Sequence, residues 1–173
     1  MRFEVVHDSH IHSRNSPDAS QSVSYLSEQA AHAGLNSITI TDHCEIHQYQ
    51  EGGFAKSVLQ SYIDTKEAQL AFADDIKVLC GIELGQPLHD VQTANEVNKL
   101  CNFDFILCSV HNLRWMEDFA FLNCVPGDPM LDPQRIMGLY FEEVLETVKW
   151  GGFDSLAHLT YPLRYIVGDS GLS

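Results

Sequence analysis

The chain has 173 residues, 45% of them hydrophobic and 20% charged, with a formal net charge of −14. That length supports one domain with a sizeable core, and the acidic balance without a basic stripe excludes a nucleic-acid backbone or an anionic membrane as the main partner. No apolar run reaches the roughly 20 residues of a membrane span and "MRFEVVHDSH" is not a leader, so the expectation is a cytoplasmic protein.

In chain order, the hydrophobic periodicity predicts a strand at about 3–9, a helix at about 22–33, a strand at about 36–42, a helix at about 58–74 and a strand at about 76–84. A short helix at about 91–101, a strand at about 103–110, a helix at about 132–150 and a strand at about 153–158 follow in the same rhythm. Gly34 and Gly151-Gly152 read as helix stops and Asp132-Pro133 as a helix start. Segments 44–57 and 112–131, rich in Gly, Pro and polar residues, read as long loops on the ligand face. Five cysteines, at 44, 80, 101, 108 and 124, form no CxxC pair. A disulfide framework or zinc ribbon is therefore not expected, and Cys80 and Cys108 read as core residues within strands. After the last strand the chain runs "LTYPLRYIVGDSGLS", with no helix expected to cover it. A parallel βα array wants further strands or a covered edge, so the expectation is a single domain over 1–173, incomplete at its C-terminus.

Each of five apolar runs stops at a histidine or glutamate: "RFEVVHDSHIH", "SITITDH", "IKVLCGIE", "FDFILCSVH" and "FDSLAH". Sites in parallel α/β folds gather at the carboxyl ends of strands, which brings His10, His12, His43, Glu83, His111 and His158 together. Imidazoles around a shared carboxylate suit zinc, manganese or iron. His10 and His12 leave the same face of a strand and can grip one ion. Glu83 ends a buried strand where an unpaired carboxylate would be costly, so it reads as the bridging group. Asp42, Glu45 and His47 follow the second strand on the same face and are candidates for proton transfer; Glu45 could instead pair with a substrate ammonium group. By contrast His7, His32 and His89 read as structural or surface residues.

The motifs "DSHIHSRNSPDA", "ITDH", "GIELG" with "CSVH", and "AHLTYPLRY" resemble those of the PHP family, the polymerase and histidinol phosphatase superfamily, in its histidinol-phosphatase branch. The resemblance implies an α/β fold, a distorted TIM-like barrel of seven βα units of which this chain supplies about five. It also implies three divalent transition-metal ions: His10, His12 and Glu83 at the first, Glu83, His111 and His158 at the second, Asp18 with His43 at the third. Arg164 matches the arginine that would clamp a phosphate. The family's last motif, an Asp and a His two apart, has no counterpart before Ser173, so incomplete metal loading is part of the expectation. The activity implied is hydrolysis of L-histidinol phosphate to L-histidinol and phosphate in histidine biosynthesis. Alternatives left open are a phosphoesterase of this family with another small phosphorylated substrate, and a non-catalytic, truncated metal-binding remnant. The sequence sets no oligomeric state.

Overall fold

The structure is a computed structural model and describes residues 5–122 and 132–166. Its strands are β1 (His7–Ile11), β2 (Ser37–Ile40), β3 (His43–Glu45), β4 (Lys77–Gly85), β5 (Phe105–Ser109) and β6 (Ser155–Leu156). The helices are α1 (Val23–His32), α2 (Phe54–Ala71), α3 (Val91–Val97), α4 (Pro133–Trp150) and the one-turn α5 (Leu163–Ile166).

All strand pairs are parallel, in the order β1-β2-β4-β5-β6, with β3 also on β4. The order never doubles back. Right-handed crossovers then add each strand on the same side of the last, which is barrel winding rather than the doubly wound arrangement with its mid-sheet switch point.

The sixth strand corrects the expectation of five only in part. Residues Ser37–Ile40 pair with Lys77–Cys80 and residues His43–Glu45 pair with Glu83–Gly85. The Glu83 amide donates to the Asp42 carbonyl at 3.1 Å between the two stretches. β2 and β3 are thus two arms of one strand, broken at Thr41 and Asp42 and both laid along the nine-residue β4. Its continuation through Glu45, and the start of α2 at Phe54 rather than about 58, shorten the loop expected over 44–57. Phe54 and Val58 lie one turn apart in one apolar cluster, so packing extends the helix upstream of its strongest periodicity.

Alternation along β4 explains how one sheet builds both a core and a site. Ile82 and Leu84 point to the outer face and pack with Cys44, Val58, Ala94 and Val97. A second cluster joins Ile38, Ile40 and Val78 to Val23 and Ala30 of α1. Each such fully buried aliphatic side chain contributes about 1.5–3 kcal/mol. The intervening residues Glu83 and Gly85 face the other way, beside His43 and Glu45 of β3, their register partners. Cys80 and Cys108 are free and buried, as expected, and so is Cys44; burial pushes the Cys80 thiol up to about 11. Cys124 lies outside the described residues.

The helix signals are local. Ser22 caps α1 by accepting from the Tyr25 amide, and Asp132 caps α4 by accepting from the Arg135 amide. Gly151 ends α4 at φ 76°, a left-handed turn that glycine enters without strain. α4 closes the third cluster through Ile136, Tyr140 and Val144, packed on Val110, Leu113 and Phe119. Where no helix was expected after β6, the chain forms the single turn of α5. No helix among the described residues is long and apolar enough to cross a membrane.

Candidate metal centre

The strand-end residues converge because the segments carrying them are tied to one another. After β1 the chain turns at Ser13, whose amide and hydroxyl both donate to Asp42, at 2.5 and 2.6 Å. The Ser16 hydroxyl accepts from the His43 amide at 2.7 Å. These ties draw the segment bearing Asp18 back over β3, so Asp18 Oδ2 lies 2.9 Å from His12 Nδ1 and 3.5 Å from His43 Nε2.

Glu83 is the hub. Its side chain is fully buried, and its two oxygens divide the surrounding imidazoles. Oε2 lies 3.1 Å from His10 Nε2 and 3.0 Å from His12 Nε2. Oε1 lies 3.2 Å from both His111 Nε2 and His158 Nε2. Within each pair the ring nitrogens nearly touch: His10 and His12 at 3.0 Å, His111 and His158 at 3.4 Å. Nitrogen lone pairs converging on a point beside a carboxylate oxygen form a donor set that fits a borderline divalent cation. Among the described residues, compact ligand groups of this kind are also formed by His10, His12 and Glu83, by His12, Asp18 and His43, and by His43, Glu83 and His111. The third was not foreseen as a set, since the resemblance pairs His111 with His158 instead. Both descriptions share the Glu83–His111 contact.

Without a cation the cluster holds protons instead. Burial works against charge on His12, but the hydrogen bond and charge of Glu83, with Asp18, carry its pKa up to about 9. For His111 burial is likewise outweighed, by Glu45 and Glu83, and its pKa reaches about 10. Burial alone would raise Glu83, yet the imidazole hydrogen bonds hold it well below the ordinary carboxylate value. Desolvation opposes charge on Glu45 too, and His111 and His43 bring it down to about 2.

The three residues singled out for proton transfer or phosphate binding fare differently. Asp42 is buried, and its oxygens accept from the Ser13 amide, the Ser13 hydroxyl and the Ser61 hydroxyl. This corrects the expectation of a proton donor: a carboxylate committed to three donors, one of them on α2, holds the turn after β1 and has no free oxygen for substrate. His47 follows β3 in a short 3-10 turn, Ile46–Gln48, and lines the cleft beside the cluster. Partial burial lowers its pKa, so the ring is neutral at pH 7 and better suited to accept a proton than to supply one. Arg164 is exposed on α5; its amide bonds the Tyr161 carbonyl, and it is not among the residues lining the cleft.

One further expectation becomes specific and one changes. Of its two expected roles, His89 takes the structural one: its side chain is 7% exposed and its Nε2 lies 2.9 Å from Glu143 Oε1 of α4. The turn Pro87–His89 after β4 tucks it under that helix. Glu45 is not open to a substrate ammonium group, because its Oε1 is held 3.0 Å from Nδ1 of both His43 and His111. The available signal was its spacing, two residues after His43 on a strand and therefore on the same face. His7 and His32 are exposed, as expected.

A cleft of about 860 Å³ opens from this cluster, bounded by Asp18, His43, Glu45 and His111 on one side. Its far wall is aromatic and acidic, with Trp115, Phe121, Tyr161, Tyr165, Glu117 and Asp118. The Tyr161 ring packs 4.8 Å from that of His111 and 4.9 Å from that of His158, while its hydroxyl donates to Asp118 at 2.9 Å. Composition reasoning passed over this wall because its members are scattered along 115–165, without a common motif.

Comparison with known proteins agrees with this construction. The chain is 26% identical over 159 residues to a histidinol-phosphatase of Lactococcus lactis, covering 91% of this chain and 58% of that protein. It is 25% identical over 171 residues to a "Probable histidinol-phosphatase" of Clostridium acetobutylicum, covering 96% of this chain and 62% of the relative. The chain thus spans about three fifths of the length of these curated relatives. Among solved structures, the Lactococcus lactis histidinol phosphate phosphatase complexed with zinc, L-histidinol and phosphate superposes with a TM-score of 0.75 at 22% identity, over 92% of this chain and 60% of that one. A structure from Listeria monocytogenes gives 0.73 at 14% identity, over 91% and 68%. Both likenesses establish the fold, the distorted TIM-like barrel of this group. The PHP domain model matches residues 8–170, nearly the whole chain and every strand-end histidine from His10 to His158. With the barrel-wound sheet and the glutamate-centred histidine cluster, that match places the chain in the PHP domain family.

Proposed function

We propose that this chain carries the catalytic centre of a metal-dependent phosphomonoesterase that hydrolyses L-histidinol phosphate to L-histidinol and inorganic phosphate. The observation that carries this is Glu83, fully buried with four imidazole nitrogens within 3.2 Å, two on each oxygen. Support for the substrate comes from the relatives, two of which are named for histidinol phosphatase activity, and from the Lactococcus structure with L-histidinol and phosphate.

In this reading His10, His12 and Glu83 would hold one ion, and Glu83, His111 and His158 would hold a second. Asp18, His12 and His43 form a third set. Bound there, zinc, manganese or iron would offset the charge of a phosphate and bring the pKa of a bound water toward neutrality. The chain's own residues do the rest. Asp42 fixes the turn that carries Asp18 toward the cluster. Tyr161 lays an aromatic plate against His111 and His158 and shields that side from water. His47, neutral and lining the cleft, accepts a hydrogen bond or a proton from the substrate. Glu117 and Asp118 with the surrounding aromatics suit an alcohol that is cationic and aromatic, as histidinol is. Arg164, exposed on α5 beside the cleft lining, would offer its planar fork to phosphate oxygens only with its side chain turned in toward the cluster. Water's oxygen ends on phosphorus, a proton released by that water ends on the departing ester oxygen, and the products are the alcohol and inorganic phosphate.

Phosphate release from L-histidinol phosphate, measured beside nucleoside monophosphates and with the metals chelated, tests the proposal. Chelator-sensitive turnover of histidinol phosphate at least tenfold above the nucleotides supports it. Equal turnover of all esters would shift the reading to a different small phosphorylated substrate, and zinc binding without any turnover to a non-catalytic metal-binding chain.

A further inference from the structure

Glu45 belongs to no ligand set, yet its place in the sheet is closely defined. It sits on β3 directly opposite Gly85 of β4, one register step beyond the His43–Glu83 pair. Oε1 lies 3.0 Å from His43 Nδ1 and 3.0 Å from His111 Nδ1. The other nitrogens of the two rings point elsewhere: His43 Nε2 toward Asp18 at 3.5 Å, His111 Nε2 toward Glu83 at 3.2 Å. An imidazole whose Nδ1–H faces a carboxylate has its tautomer and orientation set, with the Nε2 lone pair turned to the ion. The His111 contact is an aligned hydrogen bond, whereas His43 Nδ1 lies in charge contact only, 3.0 Å from Glu45 and 3.5 Å from Glu83 Oε2, so one oxygen holds rings from two different strand ends by unlike contacts.

The room for this carboxylate comes from a missing side chain. A Cβ on Gly85 would fall 2.2 Å from Glu45 Oε2, 2.8 Å from its Cδ and 2.9 Å from Oε1. Gly85 is not among the residues of positive φ, so its backbone would accept alanine without strain. A side chain there would displace the Glu45 carboxylate rather than strain the backbone.

We propose that Glu45 is a positioning residue shared by His43 and His111, and that Gly85 is the residue that admits it. The inference rests on reading the cluster as a metal centre. Its test is zinc affinity, by chelator competition, in the full chain and in Glu45→Ala, Gly85→Ala and the double variant, with circular dichroism confirming the fold. Loss of an outer carboxylate partner costs 10–100-fold in metal affinity, and that loss is expected in Glu45→Ala and in Gly85→Ala. In the Glu45→Ala background, adding Gly85→Ala should change affinity less than about twofold, because the clash partner is gone. Ring-nitrogen NMR of the zinc-loaded chain should show Nδ1–H of His111 shielded from exchange, and exposed in Glu45→Ala. Zinc affinity and ring signals unchanged in Glu45→Ala overturn the inference and leave the metal centre standing, as does a Gly85→Ala loss equal in both backgrounds. Failure of the unaltered chain to bind zinc overturns the metal-centre reading and the inference with it.

Discussion

Zinc binding by this chain should be steeply dependent on pH. In the metal-free protein His12 keeps its proton up to about pH 9 and His111 up to about pH 10. An entering cation must displace both protons, since a ligating imidazole is neutral. At pH 7 that competition amounts to two decades for His12 (9 − 7) and three for His111 (10 − 7), roughly 100-fold and 1000-fold in affinity against the same ligands already deprotonated. Each ion's affinity should thus rise about tenfold per pH unit from pH 7 to pH 8.5, with about one proton released per ion. Chelator competition across that range, with proton release followed in weak buffer, reads both numbers. Affinity constant over a full pH unit, or no proton release, would refute the electrostatic account of the cluster.

The same shifts set a stability window for the metal-free chain. The raised pKa values of His12 and His111 contribute stability that is full below their ordinary 6.5 and lost as pH rises through about 9 to 10. Glu45, depressed from 4.5 to about 2, contributes above 4.5 and loses that contribution as pH falls toward 2. Thermal unfolding should show greatest stability between these limits, with zinc restoring the alkaline loss; a metal-free chain more stable at pH 9 than at pH 6 contradicts this. Glu83→Gln should lose zinc on both sides of the hub, and normal metal content by elemental analysis would remove the bridging assignment. Asp42→Asn, which leaves the Ser13 and Ser61 donors competing for a neutral amide, should lower urea-unfolding stability by about 1–3 kcal/mol; a loss of turnover without a loss of stability would return Asp42 to the chemistry. Arg164→Ala should raise KM for the phosphate ester more than it lowers kcat, and unchanged turnover at low substrate would exclude the residue from the phosphate role.

The strand-end rhythm was legible because burial on both faces forces a parallel strand into an apolar run, and the residue at its end breaks that run visibly. His10, His43, Glu83, His111 and His158 each stand at such a break. Asp18 had no comparable signal; it reaches the cluster through the Ser13–Asp42 and Ser16–His43 ties, which join residues 29 and 27 positions apart. Asp42 and Glu45 were visible as acids near His43 but not in their roles, since alternation gives a residue's face and not its partners. The pairing of Glu45 with Gly85 depends on strand register, fixed only once β3 lies against β4. Between a structural and a surface His89 the sequence could not choose for a similar reason: nothing local in "GQPLHD" announces that α4, some fifty residues later, brings Glu143 to it.

Anomalous diffraction at the zinc edge, from crystals of the zinc-loaded chain, tests the central claim most directly. Two peaks flanking Glu83 are expected, about 3.5–4 Å apart as in other paired-metal sites, one against His10 and His12 and the other against His111 and His158. The absence of any peak within coordination distance of Glu83 would contradict the metal centre itself.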